Sequence, residues 1–300
     1  MRLLGGLAVL YFEAAAVHAQ QLEPRAYFNA PVGLNFLIAG YTYSAGGLAT
    51  DPAQPLENAQ LDIHAPIVAY ARAFDAWGKS AKFDAVLGAG CLSGTAESNG
   101  VPVSREICGG LDPAFRVTVN LYGAPALSLE EFRRYRQDLI FGVSLQVVAP
   151  LGQYDPDRLV NLGTNRWIFK PEVGMSKKLG ALTVEAALGV ALFTTNDDYF
   201  GGRTREQEPI VSTQLHLIYE FLGGTWVAVN GTYYGGGRTM IDGVKQNDAL
   251  GNSRLGATVA LPLDRRNSIK LHASKGVSVR FGEDFTTFGL AWQYRWGAGL

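Results

Sequence analysis

The chain has 300 residues, of which 47% are hydrophobic, 11% aromatic and only 18% charged, with 36 glycines and a formal net charge of −1. Few charges and many glycines exclude a coiled coil, a disordered chain and a charge-rich helical surface protein. Balanced charge removes the electrostatic footprint of a nucleic-acid binder, and no apolar run reaches the about 18 residues that a spanning helix needs.

At the N-terminus, Arg2 precedes the apolar run Leu3–Phe12, and Val17-His18-Ala19 supplies small residues for cleavage. These are the parts of a secretory signal peptide, predicted over residues 1–19, with Glu13 an unusual carboxylate beside the apolar stretch. The competing reading is an anchor that stays attached. Cleavage leaves a single domain, residues 20–300, outside the cytoplasm, where its two cysteines can oxidise.

Downstream, the dominant period is two. Twelve alternating runs are predicted as strands, at 32–43, 59–73, 79–91, 114–122, 137–148, 167–177, 181–194, 209–221, 225–235, 253–263, 267–277 and 285–296. In the last, Phe288, Leu290, Trp292, Tyr294 and Trp296 alternate with Gly289, Ala291, Gln293 and Arg295. Alternate residues of a strand face opposite ways, so one face is apolar and the other small or polar. In the second run, Leu61, Ile63, Ala65, Ile67 and Ala69 face away from Asp62, His64, Tyr70 and Arg72.

Links after even-numbered runs are short: 74–78, 178–180, 222–224 and 264–266. Links after odd-numbered runs are long: 44–58, 92–113, 149–166, 195–208 and 236–252. The exception, 123–136, carries Ser128-Leu129-Glu130-Glu131, a capping box that predicts a short helix over Leu129–Gln137. Its Arg133, Arg134 and Arg136 read as a solvated face, with gating the alternative.

An even strand count with short turns at one end and long loops at the other is the pattern of outer-membrane barrels. The predicted fold is all-β, an antiparallel up-and-down transmembrane barrel of about 12 strands with one short periplasmic-side helix. A secreted β-sandwich is the competing reading. A barrel this wide leaves a lumen, so polar residues belong inside and the apolar face meets lipid. Trp77, Trp167, Trp226, Trp292 and Trp296 fall near strand ends, as an interfacial girdle requires.

On this register the lumen receives Arg72, Lys82, Arg116, Lys170, Arg254, Lys270 and Arg295, facing Asp62, Asp84, Glu172, Glu185 and Glu220. His64, His216 and His272 join them, with Asn120, Gln146, Gln214 and Gln293. Mixed charge braces the wall by ion pairs and gives a narrow, weakly selective conduit. Bracing alone is the plainer reading for any single one of these residues.

Catalysis finds little support. A lipid-facing serine hydrolase needs a histidine within hydrogen-bond reach of its nucleophile, and this register puts no histidine on the lipid face. Asp197-Asp198 and Asp155-Pro156-Asp157 are weak calcium signals, and Gly235-Gly236-Gly237 reads as a strand-end turn. No metal or cofactor is implied. Cys91 and Cys108 both fall at or in the long link after the third run, where a loop disulfide is expected to lower unfolded-state entropy by about 2–4 kcal/mol.

Several stretches carry a family resemblance: Gly40–Ser44, Val119–Pro125, Gly152–Asp155 followed by Asn161–Trp167, Asn196–Gly202 and Asn252–Gly256. They are similar to the family named for the meta-cleavage pathway of phenol degradation, whose members are often called transporters. The resemblance implies an outer-membrane β-barrel tied by name to aromatic catabolism, and it supplies no catalytic residues. The cysteine pair has no match in the family pattern.

Within the third long loop, Asn, Gly and Thr favour compact turns. The expectation is that this loop folds inward and sets a constriction with Tyr154, Asp155, Asn165 and Arg166 near it; a self-packed outer cap is the alternative. The whole reads as an outer-membrane channel for passive uptake of small, hydrophobic or aromatic solutes. Outer-membrane lipid, a small-molecule solute and the outer-membrane assembly machinery are the expected partners. A phospholipase-like outer-membrane enzyme and a closed structural barrel are the alternatives.

Overall fold

The computed structural model describes residues 12–13, 24–49, 56–98 and 100–300. Apart from Phe12 and Glu13, the predicted leader lies outside them. Each of the twelve alternating runs forms a strand. They are β1 Leu34–Ala49, β2 Leu56–Ala76, β3 Lys79–Ser98, β4 in two segments (Val101–Gly110 and Ala114–Tyr122), β5 Leu139–Val148 and β6 Ile168–Leu179. The rest are β7 Leu182–Phe193, β8 Ile210–Glu220, β9 Trp226–Gly236, β10 Leu250–Pro262, β11 Asn267–Ser278 and β12 Gly282–Gly297. Sequence neighbours pair antiparallel, and β12 pairs with β1 from Gly282↔Ala49 to Gly297↔Leu34. That last pairing closes the barrel, while the first segment of β4, Val101–Gly110, pairs with β3 alone and forms an edge.

The tight turn between β2 and β3 is built on Trp77 (φ 55°) and Gly78 (φ 77°). Two consecutive left-handed residues make the hairpin turn whose twist matches the strands it joins. At the same end, α1 spans Leu129–Arg134, ending sooner than predicted because Tyr135 turns extended. Ser128 and Glu131 form the expected reciprocal cap. Hydrogen bonds from the Ser128 hydroxyl and backbone N–H hold the Glu131 carboxyl below its ordinary value.

Two predicted loops are sheet. Residues 92–113, expected as a loop, are mostly the continuation of β3 and the returning first segment of β4, paired from Ser98↔Val101 to Ala89↔Gly110. The alternation of Val101, Val103 and Ile107 was masked by the Ser, Gly and Glu around it. Segments 196–199 and 203–207 of one long link pair with 239–241 and 244–245 of another, forming a four-stranded sheet at the long-loop end.

The outer surface is an apolar belt. Val68, Leu87, Val117, Leu145, Val173, Leu188, Leu215, Val229, Leu255 and Leu290 are all exposed on it. Trp292 and Trp296 stack about Tyr294, with ring centroids 6.1 and 5.7 Å away. Trp226 departs from the expected girdle: it stands in register with Glu220 and turns inward beneath the Arg25 guanidinium, 4.9 Å from its ring centroid.

Candidate functional site

The barrel interior has two unlike halves. From Lys82 and Asp84 at the short-turn end of β3 round to β11 the inner wall is polar, as the alternation predicts. Lys82 pairs with Asp84 at 3.6 Å, Arg116 donates to Gln146 at 3.1 Å, and buried Lys170 and Glu172 lie 3.4 Å apart. Ser176 donates to Glu185 at 2.9 Å. His216 shares a 2.8 Å hydrogen bond with Asn230, whose amide donates to Thr258. Arg254 donates to the Phe285 carbonyl and to the Ser274 and Thr287 hydroxyls. Lys270 and His272 of β11 face inward opposite Ala291 and Gly289 of β12, and Arg295 donates to the Arg265 carbonyl at the rim. Buried ions of both signs, each partnered, are what a low-dielectric interior tolerates.

Along β2 the inner wall is apolar, and here its predicted orientation is reversed. Leu61, Ile63, Ala65, Ala71 and Ala73 are buried inside. Asp62, His64 and Arg72, expected in the lumen, lie on the outer face. Asp62 accepts from the Tyr43 hydroxyl at 2.6 Å. His64 hydrogen-bonds Tyr41 and lies 4.9 Å from the Tyr43 ring, and Arg72 is exposed. The physical reason is that tyrosine hydroxyls of β1 satisfy the outward polar groups of β2, while its alternate residues are small enough to line the interior. A histidine therefore does stand on the outer face, contrary to expectation, but its partners are tyrosines and not a serine.

Three elements fill the interior. The first was not foreseen: residues 24–33 run into the barrel from the short-turn end. The Tyr27 ring lies over Gly142 and Gly174, where an added Cβ would stand 2.6 and 2.0 Å from it, and its hydroxyl donates to Glu172 at 3.0 Å. The Arg25 backbone N–H donates to Glu185 at 2.7 Å. Its guanidinium pairs with Glu220 at 3.2 Å, which Lys178 also meets at 2.8 Å. Asn29 is fully buried, and Gly33 donates to the Ala73 carbonyl. The inward glycines 142 and 174 were the available signal, since two facing gaps in a polar wall call for a filler.

The second is the loop 149–167. Asp112 accepts from the Gly152 N–H (2.7 Å) and from the Thr164 N–H and hydroxyl (2.8 Å each). So fastened, the loop sends Leu162 into a cluster with Leu61, Ile63, Leu92 and Phe285. The four residues named from the sequence fasten the loop. Asn165 donates to Asn196, Tyr154 to the Asp198 carbonyl, and Arg166, over the Phe193 ring, to Gln207. Asp155 caps its own turn. Leu162, not these four, packs against the inner face of β2.

The third is an apolar ring at the long-loop end of the polar half, with Val148, Ile168, Ile210 and Tyr234. Outside it, Cys91 and Cys108 form a disulfide between directly paired positions of β3 and β4, in the strand pair where a loop was expected. Among the described residues there is no group of His, Cys, Asp and Glu that could hold a metal ion.

A family model described as "Putative MetA-pathway of phenol degradation" matches residues 49–295. The chain belongs to this family. Among solved structures it is similar to the COG4313 outer membrane channel from Pseudomonas putida F1, at 20% identity and a TM-score of 0.77 over 92% of this chain and 100% of that one. The translocator domain of the autotransporter NalP from Neisseria meningitidis matches at 12% identity and a TM-score of 0.55, covering 94% and 96%. The chain's fold is thus that of an outer-membrane type barrel. A comparison with curated proteins found no match.

Proposed function

We propose that the protein is an outer-membrane channel for passive uptake of small apolar solutes, aromatic ones included. One observation carries this reading: the inner face of β2 is apolar from Leu61 to Ala73, inside a closed barrel whose outer belt is also apolar. A water-filled sieve for sugars has no use for such a strip, whereas a solute that leaves water for an apolar wall gains about 25 cal/mol per Å² buried. The family's tie to phenol degradation and the likeness to an outer membrane channel support the same reading, as do the leader-like N-terminus and the lipid-compatible belt. The barrel walls would then meet outer-membrane lipid, and the aromatic final strand would serve the assembly machinery. A closed structural barrel is the second reading, favoured by the burial of Tyr27 and Asn29 within the interior.

Liposome swelling tests it. Vesicles holding the full chain should admit aromatic alcohols and acids faster than sugars of similar mass. Equal rates would refute an apolar route, and absence of both swelling and conductance would favour the closed barrel.

A further inference from the structure

Where an apolar solute goes next is decided by what blocks it and what does not. Below the apolar strip, residues 24–33 and 123–128 cross the short-turn end: Val32 donates to the Leu127 carbonyl, Gly33 to Ala73 and Ser80 to Ala124. The straight path down that wall is therefore covered. Beside the strip, the wall itself is weak. The β2–β3 ladder runs to His64↔Cys91 and resumes at Ile67↔Gly88, skipping Ala65 and Pro66 opposite Gly90 and Ala89. Pro66 brings no N–H to the ladder. On the other side of β3, regular pairing with β4 stops at Val86↔Ala114 and resumes at Ala89↔Gly110, because β4 bulges at Leu111–Pro113, where one backbone bond, from the Leu111 N–H to the Gly88 carbonyl, spans the interval. Among the described residues, no other strand has gaps on both sides within four consecutive positions, here 89–90 toward β2 and 87–88 toward β4. A second internal proline, Pro171, interrupts β6 toward β7, but pairing with β5 is intact there and the Lys170–Glu172 ion pair backs the wall.

Membrane barrels keep backbone groups paired because lipid offers none, so a double interruption in one strand requires a reason. Leu111 covers it from inside. Cβ atoms added at Gly88 and Gly90 would lie 3.1 and 3.2 Å from its two methyls. Outside, Val68 and Leu87 flank the place and are exposed.

We infer that the wall at Pro66, Gly88–Gly90 and Leu111 is a lateral portal, through which an apolar solute passes from the interior strip into the bilayer, with Leu111 as its inner cover. The inference rests on the proposed uptake of apolar solutes and gives it an exit. Parting the wall there separates fewer ladder pairs than anywhere else along β3, and the solute exchanges one apolar surface for another without meeting water.

The test uses the full chain in the outer membrane of a Gram-negative host whose lipopolysaccharide leaflet excludes N-phenyl-1-naphthylamine, a probe that fluoresces on entering lipid. Wild type should speed the fluorescence rise. Pro66→Val, which restores a donor and a strand-forming side chain, should slow it several-fold, and Leu111→Ala should speed it. Pro171→Val should match wild type, and ion conductance of Pro66→Val in planar bilayers should be unchanged. Heat-modifiable mobility checks that each variant folds, and Leu111→Ala decides the matter if Pro66→Val does not. If wild type transfers the probe and both portal variants equal it, the portal is refuted while apolar uptake stands. If wild type transfers none, apolar uptake and the portal fall together.

Discussion

The two inner walls of this barrel are built by opposite means. From the short-turn end of β3 round to β11 the wall is charged and hydrogen-bonded, and its space is taken by residues 24–33, with Tyr27 lying on Gly142 and Gly174. Along β2 the wall is alanine, isoleucine and leucine, with Leu162 packed on it at the long-loop end. One half is held shut by partners that must be exchanged before anything moves. The other is filled by apolar packing of Leu162 against Leu61, Ile63, Leu92 and Phe285, which the proposed solutes would displace. The comparison teaches that, in the proposed channel, the wall left without charges matters more than the number of charges in the lumen.

The comparison breaks most sharply at Gly174. Replacing it with valine places a Cβ where the Tyr27 ring stands, so the ring must leave its slot, and single-channel conductance should rise several-fold. Unchanged conductance would mean that residues 24–33 do not fill the polar half. At Asp112, alanine removes three accepted hydrogen bonds and strands two backbone donors, at roughly 1–3 kcal/mol for each buried group left unpaired. Loop 149–167 should become open to protease and the Leu162 constriction should loosen, raising conductance less than the valine does. Undisturbed proteolysis of the loop would show that Asp112 does not hold it.

The disulfide sharpens a smaller point. Cys91 and Cys108, 17 residues apart, are already ladder partners, so replacing both with serine should cost no more than about 2–4 kcal/mol and leave the barrel heat-modifiable, with only the 92–110 arm more easily cut. Mass analysis after thiol alkylation should find no free thiol in exported wild-type protein. Smallest of all is the pH response of α1. The Glu131 carboxyl is held below its ordinary 4.5 by Ser128, so its contribution is complete above that pH and is lost as pH falls through the lowered value. Amide exchange at 132–134 should quicken in that acid range, and in Ser128→Ala it should already be quick at neutral pH.

Much of the architecture is legible in the residues. Strand number, the alternation of short and long links, the capping box at Ser128 and the inward set of β5 to β12 follow from period two and turn chemistry. The reversal of β2 does not, because its sequence offers alanines on one face and Asp62, His64 and Arg72 on the other. The rule that polar groups seek the lumen points the wrong way once Tyr41 and Tyr43 of a neighbouring strand can satisfy them outside. Residues 24–33 escape notice for a related cause: their role depends on glycines more than a hundred positions away. The expected inward fold of the loop named Tyr154, Asp155, Asn165 and Arg166, which fasten it, and not Leu162, which gains meaning only from the cluster it meets across the barrel.

The central claim is the orientation of β2, and attached fluorophores test it directly. Both native cysteines are joined, so a cysteine introduced at Val68 or at Ala69 is the sole free thiol for an environment-sensitive dye. In vesicles of brominated lipid, dye at residue 68 should be strongly quenched and dye at residue 69 should not, responding instead to water-soluble quenchers. The reverse pattern would put Asp62, His64 and Arg72 inside, and the apolar route would be gone.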